Sequence, residues 1–155
     1  MALLVVSALP VGAGSLAAGA SSVAACSSSA VVLSVASSRT SYPSGSTVLV
    51  TVDLRNHGAS ACSFVTGPTS PNYQVTNAAG TTVWGSCWFA GGPAPCPMYL
   101  LERVLRPGVT YRDVLTWDQR SGHPDVRVRP GRYRFSVTFS GLSLKAATSF
   151  TLLAS

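Results

Sequence analysis

From Arg132 to Ser140 the chain sets Tyr133, Phe135, Val137 and Phe139 in strict alternation with Arg132, Arg134, Ser136, Thr138 and Ser140. Successive side chains of a β-strand point to opposite faces, whereas a helix would scatter these aromatic residues around its surface. The stretch therefore predicts an antiparallel strand with one face in a core and the other in water.

A second strand of the same kind runs through Val48, Val50, Val52 and Leu54, which alternate with Leu49, Thr51, Asp53 and Arg55. Further strands are predicted over Val31 to Ser37, Tyr73 to Thr76, Thr81 to Trp84, Tyr99 to Leu105, Thr110 to Trp117 and Ala146 to Leu153. Turn chemistry separates them: Pro43-Ser44-Gly45, Asn56-His57-Gly58, Asn77-Ala78-Ala79-Gly80, Pro107-Gly108 and Pro130-Gly131 place Gly, Asn or Pro where the chain must reverse. No long stretch keeps a helical period. About seven to nine short antiparallel strands at this spacing predict an all-β, immunoglobulin-like Greek-key β-sandwich, with a small closed barrel as the alternative. Arg106-Pro107-Gly108 with Tyr111 and Arg129-Pro130-Gly131 with Tyr133 are two turns of similar type, not a repeat.

Only 10% of the residues are charged, well under the usual quarter, and Ser, Thr, Gly and Ala make up the difference, a surface common among exported β proteins. No charged residue occurs before Arg39, while eight of the ten arginines lie between Arg103 and Arg134 and Lys145 is the only lysine. The uncharged start, rich in Leu and Val and then in small residues, reads as a signal peptide over residues 1–26. Its strongly apolar run falls well short of the ~20 residues that a bilayer span needs. Val23-Ala24-Ala25-Cys26 followed by Ser27, Ser28 and Ser29 resembles a bacterial lipobox with a Ser-rich tether over residues 27–30. That resemblance implies an acylated Cys26 and a lipid anchor as the chain's one link to a membrane. The alternative is cleavage near Ala20, which leaves Cys26 as a half-cystine or a free thiol.

Cys62, Cys87 and Cys96 fall in segments that read as loops, and export permits disulfides among them. A bridge from Cys62 to Cys87 or Cys96 is expected, with a local Cys87–Cys96 bridge as its competitor. If Cys26 is free of lipid, two bridges are open. Neither His57 nor His123 stands at ligand spacing to a cysteine, and no Cys-x-x-Cys pair exists, so neither metal nor cofactor is expected.

The landmarks then fall in a telling order. Tyr42-Pro43-Ser44-Gly45 precedes a strand that ends in Leu54-Arg55-Asn56, and Gly80-Thr81-Thr82-Val83-Trp84 follows. Leu105-Arg106-Pro107-Gly108, Thr116-Trp117-Asp118-Gln119 and Val128-Arg129-Pro130-Gly131-Arg132-Tyr133 complete the series. Over roughly residues 31–153 this resembles the BsuPI family, intracellular proteinase inhibitor domains with an immunoglobulin-like fold. The resemblance implies a sandwich and a partner that is another protein, such as a protease. The leader and the cysteines depart from the family's founding pattern and direct the expectation to the cell envelope or the secreted fraction of a bacterium.

Two surfaces stand out as binding candidates. Trp88, Phe89, Pro95, Pro97, Met98 and Tyr99 belong to a proline-rich loop that could present apolar anchors on a pre-organised backbone. Arg127, Arg129, Arg132 and Arg134, each pair spaced by two, could form a basic ridge toward anionic envelope polymer or lipid headgroups. The ridge lacks the aromatic platforms and lysines that nucleic acid would call for. Trp117 is expected in the core, and Asp118 as an acceptor for turn amides. With no Gly-x-Ser-x-Gly elbow, no phosphate loop and no His-Glu-x-x-His, a non-enzymatic binding domain is the expectation.

Overall fold

The two stretches of cleanest alternation each take a central position in a sheet. The computed structural model describes residues 23–89, 92–93, 96, 99–122 and 126–154. Its strands are β1 (Val31–Ser37), β2 (Ser41–Tyr42), β3 (Val48–Asn56), β4 (Cys62–Thr66), β5 (Asn72–Asn77) and β6 (Thr82–Gly85). They continue as β7 (Trp88–Phe89), β8 (Gly92–Pro93), β9 (Leu101–Leu105), β10 (Thr110–Trp117), β11 (Gly131–Phe139) and β12 (Leu144–Leu152). One sheet has the order β1-β3-β10, the other β2-β12-β11-β5-β6, and β4-β9 and β7-β8 form two-stranded ladders.

The inward faces of the two central strands make the core. Val48, Val50, Val52 and Leu54 of β3 and Phe135, Val137 and Phe139 of β11 are at most 2% exposed. Each such side chain contributes about 1.5–3 kcal/mol by leaving water. Tyr73 and Val75 of β5, Phe150 and Leu152 of β12, and Trp117 at the end of β10 complete the packing. Trp117 lies against Tyr133 and Phe150, with ring centroids 5.6 and 6.2 Å away.

Strands adjacent in space come from distant parts of the chain: β3 pairs with β10, and β5 pairs with β11, both antiparallel. The chain thus crosses between the layers, which is Greek-key connectivity. Tyr133, near the start of β11, donates its hydroxyl hydrogen to the Arg129 carbonyl at 2.7 Å, the tyrosine corner of such sandwiches.

Eight strands are legible in the sequence; β2, β4, β7 and β8 add to them. Cys62 stands in β4, not in a loop; the strand carries no alternation to read, because residues on both of its faces are buried. β9 pairs with it on one side, and the segment at Ala25 bridges to Ser63 on the other. Cys62, Ser63, Phe64 and Thr66 are all buried.

Residues 23–30, which read as leader and tether, pack onto the sandwich. The Cys26 amide donates to the Ser63 carbonyl and the Ser63 amide to the Ala24 carbonyl, both at 2.8 Å. That register brings the Cys26 and Cys62 Cα atoms to 4.7 Å, and the two residues form a disulfide. Cys87 pairs with Cys96, Cα atoms 5.4 Å apart. The expected bridge from Cys62 to Cys87 or Cys96 is corrected accordingly: Cys62 is occupied by Cys26, and the local competitor forms. In this structure the Cys26 sulfur is joined to Cys62, the half-cystine alternative. Residues 1–22 of the expected signal peptide lie outside the described residues.

Candidate functional site

Buried polar groups are the first place to look for chemistry, and here they are occupied in holding loops. Gln119 is 1% exposed with φ of +62°. Its Nε2 donates to the carbonyls of Pro43 and Ser46, both at 2.7 Å, and its Oε1 accepts from the Gly45 amide at 2.9 Å. Asn56 donates to the carbonyls of Ser60 and Leu105, at 2.9 and 2.8 Å, and accepts from the Gly58 amide at 2.8 Å. Asp118 accepts from the Arg120 amide, and Trp117 Nε1 donates to the Arg120 carbonyl, both within the turn that follows β10. Among the described residues no buried side-chain polar atom lacks a partner, and no group of three His, Cys, Asp or Glu could hold a metal ion. His57 lies in the turn after β3, and His123 lies outside the described residues.

Tyr73 of β5 and Asp113 of β10 link the two sheets: the phenol donates to the carboxylate at 2.6 Å. Burial, and then this hydrogen bond, hold the Tyr73 hydroxyl well above its ordinary pKa. Burial chiefly raises Tyr111 as well, with Asp113 adding to it. A phenol kept protonated beside a carboxylate, with no base beyond it, is a structural pair.

The outer face of the five-stranded sheet has a different character. Arg132 and Arg134 of β11 project from it beside Ser136 and Thr138, and the antiparallel register sets Ser149 opposite Arg134 and Lys145 opposite Thr138. On the other flank, Thr76 stands opposite Arg134 and Gln74 opposite Ser136. The five strands of this sheet contain these three cations and no Asp or Glu. Among the described residues none of the three has an ion-pair partner; the ion pair seen there joins Arg112 to Asp53 on the opposite sheet, at 2.7 Å. Gln74, Arg134, Ser136, Thr138 and Lys145 border an open groove of about 420 Å³. Arg129 and Arg132 border a second, of about 220 Å³, beside the turn at Asn77–Ala79.

The four expected ridge arginines therefore divide. Arg129, Arg132 and Arg134 follow one face, but the guanidinium of Arg127 lies over Gly45 at the end of the sandwich. Spacing by two aligns side chains only within a strand. Residues 126–130 are instead a loop, joined through Val128 to Gln119 and by an Arg120–Arg127 bridge. Lys145 is absent from the sequence-derived ridge because only the β11–β12 register brings it there.

Of the proline-rich loop, the backbone of Trp88 and Phe89 forms β7, paired with Gly92–Pro93, and Tyr99 is exposed. Pro95, Pro97 and Met98 lie outside the described residues. The Cys87–Cys96 disulfide ties the ends of this segment together.

No protein-family model and no curated protein matches the chain. Among solved structures, a β-glucosidase from Erythrobacter marinus is similar at 17% identity and a TM-score of 0.50 over 79% of this chain. The match spans 15% of that enzyme's length, so the chain resembles one part of it, and the likeness concerns the fold alone. A CARDB domain from Pyrococcus furiosus, solved with di-metal ions, matches at 12% identity and TM-score 0.46, over 81% of this chain and 94% of that one. The DNA glycosylase AlkC from Pseudomonas fluorescens matches at 14% identity and TM-score 0.47, over 81% of this chain and 31% of that one.

Two disulfides are the chemistry of an oxidising compartment, extracellular or periplasmic. Among the described residues no helix is long and apolar enough to cross a membrane.

Proposed function

We propose that this chain is a non-enzymatic, exported binding module that engages a negatively charged partner of the cell envelope through the outer face of its five-stranded sheet. The observation that carries this reading is the composition of that face, with Arg132, Arg134 and Lys145 and no carboxylate on any of its strands. Three unpaired cations on rigid neighbouring strands form a fixed positive field, which speeds encounter with an anion and weakens as salt rises. The test is retention of the purified chain on envelope extract at low and high ionic strength. By counterion release, three contacts should lose on the order of tenfold in affinity between about 50 and about 200 mM salt. R132S/R134S should abolish retention; undiminished retention by that variant overturns the reading.

Proteinase inhibition through sandwich loops, which the BsuPI resemblance implies, is a second reading. It is supported by the Cys87–Cys96 bridge, which pre-organises the segment it closes. Such inhibition should survive high salt and should weaken in C87A/C96A, as measured by residual activity of envelope proteases.

A further inference from the structure

Resting on that reading, we infer that the ligand of the five-stranded face is a linear anionic glycan, a hydrated polymer of sugars bearing sulfate, phosphate or carboxylate groups, lying along β11.

The argument begins with where the cations stand. Arg132 and Arg134 are two residues apart on β11, and Lys145 of β12 stands beside Thr138, four residues beyond Arg134. At a strand rise of about 3.3 Å per residue, positive charge is spread over roughly 20 Å along β11 and its neighbour β12. A single small anion would use one of these positions. An extended polymer bearing charge along its length can reach all three, and two grooves lie along its path, one at Arg132 and one from Arg134 to Lys145.

The ground between the cations is equally informative. Ser136 and Thr138 of β11, Ser149 and Thr151 of β12, and Gln74 of β5 belong to the same outward face. Hydroxyls and amides both donate and accept hydrogen bonds, so they match sugar hydroxyls, which do the same. A purely ionic partner needs no such floor.

The other classes of anion each lack something here. Among the described residues, none of the exposed large apolar side chains belongs to a strand of this sheet. A membrane surface is held by apolar or aromatic groups that enter the headgroup boundary in addition to charge. An acidic protein would meet an interface core of aromatic residues and Met, and nucleic acid would meet stacking platforms. The face offers neither.

The experiment is calorimetric titration of the full chain with four probes: dextran sulfate, unsulfated dextran, poly-glutamate and phosphatidylglycerol vesicles. Dextran sulfate should bind, unsulfated dextran should not, and poly-glutamate and the vesicles should bind at least about tenfold more weakly. S136A/T138A should weaken dextran sulfate about 2- to 10-fold for each hydrogen bond lost, and leave poly-glutamate unchanged. Poly-glutamate or vesicles binding as tightly as dextran sulfate, or S136A/T138A leaving dextran sulfate unaffected, overturns the glycan assignment while the cationic face stands. Unchanged dextran sulfate binding by R132S/R134S/K145Q overturns the face itself. All five side chains point away from the core, and an unaltered urea midpoint for each variant verifies that the fold is intact.

Discussion

Gln119 holds a chain reversal more than seventy residues away by turning its amide inward and bonding three backbone groups of the Pro43–Ser46 turn. Removing such an amide strips both kinds of partner at once. The Gly45 amide and two carbonyls would lose their partner, at a cost of about 1–3 kcal/mol for each group that water cannot reach. Q119A should therefore lower stability by about 2–4 kcal/mol, read from the urea midpoint at constant slope. A loss below about 0.5 kcal/mol would show that water replaces the amide without penalty. Tyr73 yields a pH dependence. Its pKa is raised in the folded state, so its contribution is fully present below the ordinary value of 10.0 and is lost as pH climbs above it. Each pH unit above that value should cost about 1.4 kcal/mol for this one proton. Y73F should flatten the alkaline limb of the stability profile by that slope, while Tyr111 and Tyr133, also raised, maintain a residual decline.

At the level of elements, what could be read from the chain follows what it buries. β1 and β10 coincide with their expected bounds, and β3 and β11 begin or end within a residue of theirs, because each has one wet and one dry face. β4 has no such signature, since Cys62, Ser63, Phe64 and Thr66, which alternate between its faces, are all buried. Periodicity registers burial, and a strand buried on both faces carries no period. The candidate face was half legible for a related reason. Arg132 and Arg134 share a strand, so their alignment is local; Lys145 joins them through an inter-strand register, and Arg127 leaves them through a loop. The Cys26–Cys62 bridge belongs to the same class of long-range fact, and its strength can be anticipated from separation alone. Closing a 36-residue separation should stabilise more than closing one of 9 residues. In the chain-entropy account the values are about 4 and about 3 kcal/mol. C26A/C62A should accordingly lose more stability in urea than C87A/C96A, and the opposite order would mean that strain or residual unfolded structure outweighs loop length.

Across the whole molecule the two sheets differ in how they present charge, and that difference separates a binding face from a general attraction. The outer face of the β1-β3-β10 sheet carries Asp53 and Arg112 in a two-pronged pair, both bonds 2.7 Å. Arg112 and its hydrogen bonds hold the Asp53 carboxyl below its usual value, so the pair persists at neutral pH. The five-stranded face has no such internal compensation. With a net charge of +6, the chain as a whole would draw any polyanion from solution, and salt sensitivity alone would not locate the contact. Two double variants resolve this, because each removes two positive charges. R55S/R106S takes them from exposed positions on β3 and in the turn after β9, off the five-stranded face, and R132S/R134S takes them from its central strand. A contact built on the face predicts that dextran sulfate binding survives the first with a loss of about 2-fold or less and falls at least about 10-fold in the second, as expected when long-range steering is spared but charge-assisted contacts are removed. Equal losses from both would mean that net charge alone attracts the polymer and that the grooves on the sheet take no part.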